Sequence, residues 1–191
     1  MAMAKGGMPT MPNLSPYVVG GNADVEQWMF QNTLRPIGVE EVKSLRDRWD
    51  GKLIVKGVMA PEDARAFVET GVDGIVVSNH GGRQLDGAMS SIKALPSIMD
   101  AVGDKIEVHL DSGIRSGQDV LKALAMGATG TFIGRAFIYG LGAMGQHGVE
   151  EALRVIHTEL DTTMALCGER KVQDLGKHNL LVPRDFYGDW A

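Results

Sequence analysis

Ile106-Glu107-Val108-His109-Leu110, followed by Asp111-Ser112-Gly113-Ile114-Arg115-Ser116-Gly117, is the stretch that decides the fold. A short apolar-rich run ends abruptly in an acid, small residues and an arginine. Gln118–Met126 then reads as a helix stopped by Gly127. A strand that carries its polar chemistry at its C-terminal end and leads straight into a helix is one repeat of a parallel sheet.

The same unit recurs on both sides. Upstream, Gly74–Val77 is a strand and Ser90–Val102 the helix after its long loop. Before that, Lys52–Lys56 reads as a buried strand ended by Gly57, and a helix opens at Pro61, runs through Glu69 and closes at Gly71. Val39–Trp49 places Val39, Val42, Leu45 and Trp49 on one helical face. Downstream, Gly130–Ile133 is a fourth strand and Val149–Leu166 a long final helix. The strands are apolar throughout, as expected when both faces are covered. Two α/β architectures fit: a doubly wound open sheet, or part of a (β/α)8 TIM barrel.

The loops after the strands favour the barrel. Neither Gly-x-Gly-x-x-Gly after a first strand nor Gly-x-x-x-x-Gly-Lys-Ser/Thr occurs. In barrels, function collects where strands end, with phosphate often bound after the last two. Here those ends are Asp111–Gly117 and Gly134-Arg135. Four parallel strands with their helices cannot close an eight-stranded barrel, so the expected fold is a half-barrel. Residues 1–35 are expected to be a loop-rich segment with one short helix around Val25–Gln31, 36–176 the half-barrel, and 177–191 a tail.

Composition excludes several classes. A net charge of -5 with scattered Lys and Arg argues against a nucleic-acid surface. No run approaches the roughly 18 apolar residues of a membrane span, and the N-terminus has no secretory apolar core. The single cysteine, Cys167, rules out an internal disulfide, fits a reducing cytoplasm and reads as a small buried hydrophobe on a helix. His109, His147, His157 and His178 read as structural or solvated, the Met residues as core filler, and no metal site is expected.

The richest segment is Ser78-Asn79-His80-Gly81-Gly82-Arg83-Gln84, directly after a strand. An imidazole can accept a proton near neutral pH. Glycines let backbone approach a ligand, and a guanidinium grips a carboxylate in two-pronged fashion. Taken alone, Lys56, Asp111 and Arg135 would read as a solvated lysine, a helix cap and a surface arginine.

Together these residues resemble the FMN-dependent 2-hydroxy acid dehydrogenase/oxidase family. The likeness runs from about Val39 to Gln173 and more loosely to Gly7-Met8-Pro9. It includes Val55-Lys56-Gly57, Pro61-Glu62-Asp63-Ala64, Asp111-Ser112-Gly113-Ile114-Arg115 and Ile133-Gly134-Arg135. The resemblance implies a C-terminal half-barrel that oxidises a small L-2-hydroxy acid of lactate, glycolate or mandelate type with FMN. It implies that His80 is the base that takes the substrate proton as two electrons pass to flavin N5, that Asp111 pairs with His80, and that Arg83 binds the substrate carboxylate. It further implies that Lys56, at the end of its strand, sits beside flavin N1 and O2, and that Ser78 lines the flavin. The backbone of Gly113, Arg115 and Gly134, with the Arg135 guanidinium, would hold the FMN phosphate.

Val182–Trp190 matches no pattern of that family, and Met1-Ala2-Met3-Ala4 reads as a start set by cloning or by a truncated reading frame. Open sheet edges are an aggregation hazard, so a half-barrel is expected to pair with a second copy or with a complementary N-terminal half. Peripheral contact with the inner membrane is left open. A contrasting reading is a half-barrel that binds FMN or phosphate, or self-assembles, without turnover. Other FMN barrel enzymes are a weak third, because Ser78–Gln84 is not their signature.

Overall fold

A computed structural model describes residues 12–14, 16–18, 22–33 and 37–186. The loop-rich reading of Gly6-Gly7, Pro9 and Gly20-Gly21, the likeness at Gly7-Met8-Pro9 and the last five positions of the tail lie outside the described residues. The chain divides into two compact units, Met1–Gly38 and Val39–Ala191. The sequence places this boundary slightly earlier, after residue 35.

The first unit contains a 3-10 turn, Pro12–Leu14, and helix α1, Asn22–Thr33. Its rings at Tyr17 and Trp28 stack with centroids 5.8 Å apart. The helix is longer at both ends than the Val25–Gln31 expected.

The second unit alternates strand and helix in the expected order. It runs α2 (Val39–Arg46), β1 (Ile54–Val58), α3 (Pro61–Val68), β2 (Gly74–Val77), α4 (Ser91–Val102), β3 (Glu107–Leu110), α5 (Gly117–Ala125), β4 (Gly130–Thr131), α6 (Arg135–Met144) and α7 (Gln146–Leu166). The sheet order is β1-β2-β3-β4, every pair parallel. Consecutive parallel neighbours joined by helices make half of what a closed eight-stranded barrel requires.

Register explains how chemistry and core separate. Ile75 pairs with Val108 and Val77 with Leu110, and all four are fully buried in one cluster with Leu95, Ile98 and Val102 of α4. The alternate residues Lys56, Val76 and His109 are in register with one another and face the other side. That second face is only partly covered among the described residues. Ile54 on β1 is 43% exposed and Phe132, just past β4, is 47% exposed. Continuous apolar strands therefore did not mean two covered faces, because only β2 is buried along its whole length.

Two sequence expectations need correction here. The sequence pattern marks no element over residues 135–148, yet Arg135–Met144 is a helix and the last helix starts at Gln146 rather than Val149. Gly140 and Gly142 lower intrinsic helix propensity, but packing overrides it. A Cβ on Gly140 would overlap the Gly148 carbonyl, and the reverse holds, so the paired glycines let α6 and α7 come into backbone contact. Cys167, expected to be buried, is exposed. It forms the C-cap of α7, one turn beyond Met164, the last buried residue of that helix.

Candidate active site

The site is built where β1, β2 and β3 end. β1 carries a bulge between Lys56 and Val58, leaving Gly57 unpaired. Lys56 is thus mid-strand rather than terminal, and the bulge aims it at the strand ends of its neighbours. Gly57 is at φ 103°, and a Cβ there would lie 2.8 Å from His80 Cε1. Only glycine admits both the backbone angle and the imidazole packed on it.

After β2 the chain makes a turn, His80–Gly82, with His80, Gly81 and Gly82 at φ 55°, 69° and 73°. A histidine at positive φ is strained and persists only where its surroundings over-determine it. Four hydrogen bonds do so. His80 N donates to Ser78 Oγ at 3.1 Å, Gly81 N to Asn79 Oδ1 and Ser112 Oγ at 3.0 Å each, and Gly82 N to Asn79 O at 3.0 Å. Arg83 Nε donates back to His80 O at 3.3 Å.

Asp111 follows β3. Its Oδ2 lies 2.9 Å from Lys56 Nζ, and its Oδ1 accepts from Ser112 Oγ at 2.8 Å. Lys56 Nζ also donates to Ser78 Oγ at 2.9 Å. Burial pushes the Asp111 carboxyl up, but the Ser78 hydroxyl, the Lys56 ammonium and the Ser112 hydroxyl outweigh it and hold the carboxyl below its ordinary range. The expected pairing of Asp111 with His80 is not among the contacts: the carboxylate is bonded to Lys56 and Ser112, and the imidazole lies against Gly57.

The phosphate-loop expectation is also altered in detail. Arg115 N and Ser116 N both donate to Asp119 Oδ2, at 3.0 and 3.1 Å, and Gly117 N donates to Glu159 Oε2 at 2.9 Å. The capping box of Ser116 and Asp119 and the Glu159 carboxylate therefore take up the N–H groups of Arg115, Ser116, Gly117 and Asp119 at the start of α5. Arg115 is left with its guanidinium rather than its backbone for a ligand. By contrast α6 begins at Arg135 behind Gly134, with no side-chain cap. Arg135 Nη2 donates to Gly81 O at 2.8 Å, tying that helix start to the histidine turn.

A pocket of about 180 Å³ gathers these parts. It is lined by Lys56, His80, Arg83, Asp111, Gly113, Arg115, Gly134 and Arg135, which are all the expected residues except Ser78. Ser78 is 1% exposed and acts from beneath through Lys56. Ser112, Phe132, Ile133 and Ile138 also line the pocket and were not singled out from the sequence. Ser112 and Ile133 lie within the quoted motifs without a role of their own, and Phe132 and Ile138 belong to none of them. His109, read as structural, bonds Glu107 at 3.2 Å and meets the Phe132 ring edge-on.

A family model described as FMN-dependent dehydrogenase matches residues 8–182. The chain belongs to that family. The L-lactate dehydrogenase of Actinobacillus pleuropneumoniae serotype 5b is 46% identical over 179 residues, covering 93% of this chain and 47% of that protein. The L-lactate dehydrogenase of Caulobacter vibrioides is 49% identical over 166 residues, covering 86% and 43%. Among solved structures, a mandelate oxidase with (S)-4-hydroxymandelic acid aligns with TM-score 0.70 at 47% identity, over 72% of this chain and 39% of that one. A mandelate oxidase variant with a monooxide FMN adduct aligns with TM-score 0.69 at 47% identity, over 72% and 44%. The chain thus spans about half the length of the curated relatives it matches. Among the described residues no helix is long and apolar enough to cross a membrane.

Proposed function

We propose that this chain carries the acid–base and phosphate-binding part of a site that oxidises a small L-2-hydroxy acid to its 2-oxo acid with FMN. The observation that carries the reading is the meeting of His80, Arg83, Lys56, Asp111 and Arg135 on one pocket. A base, a carboxylate-gripping guanidinium, an ammonium–carboxylate pair and an anion-binding end are the set such a reaction needs.

The residues fit a phosphate-bearing cofactor. At Gly113 (φ 103°) and Gly134 a Cβ would meet nothing within 4 Å, so the backbone there stands open to close approach. Arg135 and Arg115 add charge on the same wall. Gly113, Gly134, Arg115 and Arg135 would hold the phosphate, and Lys56 would stand by the ring system with Ser78 beneath it. FMN, when bound, supplies the two-electron acceptor. Arg83 orients the substrate by pairing with its carboxylate, and an imidazole nitrogen of His80 takes the substrate proton. Asp111 lines the same pocket as His80, and its negative charge would favour the protonated imidazole. Lys56 supplies positive charge where negative charge accumulates.

The reading includes a C-terminal half-barrel completed by a second copy of the chain or by a complementary N-terminal half, and residence in the cytoplasm. Exposure of Ile54 and Phe132 at the two edge strands supports the need for a covering partner. The same observation favours a second reading, in which the chain binds FMN or phosphate without turnover. Multiple-turnover assays with FMN, a redox dye and L-lactate, glycolate or L-mandelate separate the two. Dye reduction with stoichiometric 2-oxo acid supports oxidation, and bound FMN with no product supports the second reading.

A further inference from the structure

We propose that Ser112 is a positioning residue, whose hydroxyl locks the histidine turn and the Asp111 carboxylate into one hydrogen-bonded ring. Its kinetic consequence rests on the oxidation reading above; its structural content does not.

The ring can be followed donor by donor. Asp111 Oδ1 is a carboxylate oxygen and can only accept, so the Ser112 proton goes to it, over 2.8 Å. Ser112 Oγ is then left with lone pairs, which accept the Gly81 N–H at 3.0 Å. Ser78 Oγ already accepts from Lys56 Nζ and from His80 N, which leaves its one proton for the two acceptors beside it, the Asp111 carboxylate that it helps to hold low and Ser112 Oγ at 3.4 Å. Lys56 closes the circuit onto Asp111 Oδ2 at 2.9 Å. Every hydroxyl donates once, and both sides of the His80 peptide segment are held by a serine.

Backbone geometry supports the assignment. Ser112 sits at φ 70°, a left-handed angle that a serine adopts at a cost. Ser91, 1% exposed at the start of α4, holds it there by sharing its one hydroxyl proton between the carbonyls of Asp111 and Ser112, at 2.5 and 3.0 Å. A glycine would meet the same angle without strain. The hydroxyl is therefore what the position gains from serine.

Two variants separate the hydroxyl from the backbone. Ser112→Gly removes the hydroxyl and relieves the angle; Ser112→Ala removes the hydroxyl and keeps the strain. The full chain is labelled for NMR without FMN, and Asp111 Cγ titration and the Gly81 amide proton shift are followed. Both variants are expected to raise the Asp111 titration and move the Gly81 amide upfield, while Ser112→Gly is the more stable of the two. With FMN and saturating substrate, both are expected to slow flavin reduction about tenfold with little change in half-saturation. Parent-like Asp111 and Gly81 signals in Ser112→Gly would overturn the proposal. So would a rate lost only in Ser112→Ala, in step with its stability. If the parent's flavin is never reduced, the oxidation reading fails and the two NMR signals alone decide the role of Ser112.

Discussion

Lys56 Nζ stands 2.9 Å from Asp111 Oδ2, joining the middle of β1 to the end of β3, two strands that are not hydrogen-bonded neighbours in the sheet, through residues 55 positions apart in the chain. The intervening strand contributes Ser78, which the same ammonium also contacts. This pair, rather than a His80–Asp111 pair, forms the floor of the pocket.

Lys56→Met removes the ammonium and leaves a largely buried carboxylate, with burial pushing its titration upward and less to oppose it. The Asp111 carboxyl is held low in the folded protein, so its stabilising contribution is present above the ordinary carboxylate range and is lost as pH falls through the folded value. The variant is therefore expected to lose stability at neutral pH and to approach the parent in acid. Urea melts of both proteins across that range check it.

Gly57→Ala puts a Cβ 2.8 Å from His80 Cε1 at a backbone angle of φ 103°. The strain is expected to cost about 1–3 kcal/mol, and the imidazole must move. The expected outcome is a folded protein by circular dichroism whose flavin reduction is slowed more than its FMN affinity is weakened.

Arg135→Ala removes the guanidinium from the start of α6 and its bond to Gly81 O. FMN affinity is expected to fall by about ten- to a hundredfold, the range of a charge-assisted hydrogen bond. Riboflavin, which lacks the phosphate, should bind parent and variant with much closer affinities. Fluorescence titration with both flavins measures the difference.

At the opposite end of the sheet, Asp73 is held at about 2, below its ordinary 3.8, by the Lys52 ammonium, the Leu53 N–H and the Arg46 guanidinium. Its folded value is depressed, so the unfolded chain binds more protons between 3.8 and about 2. Stability is expected to rise with pH across that window and be lost as pH falls through it. Asp73→Asn should flatten this part of the profile in thermal melts.

Much of this was legible in the sequence because it is local. The runs at Gly74–Val77 and Ile106–Leu110, with Pro61 and Gly127 as punctuation, gave strand and helix within a few residues of the observed ends. Residues at strand ends converge by topology, so naming Lys56, His80, Asp111 and Arg135 sufficed to name one pocket. What was missed depends on contacts distant in sequence. Helix α6 is hidden by glycines whose value lies in touching α7. Ser112 acts on Gly81, 31 positions away, and Asp119 takes up N–H groups that a loop motif leaves apparently free. The exposure of Cys167 depends on where α7 stops burying its face, which the apolar pattern of the helix does not mark.

We propose His80 as the base of an FMN-linked 2-hydroxy acid oxidation site on this chain. Its most direct measurement is the visible spectrum of the FMN-loaded protein, recorded anaerobically before and after L-lactate or L-mandelate. Bleaching of the flavin band is expected in the parent, and an unbleached spectrum with FMN still bound in His80→Ala. Bound flavin that fails to bleach in the parent, or bleaches equally in His80→Ala, would contradict it.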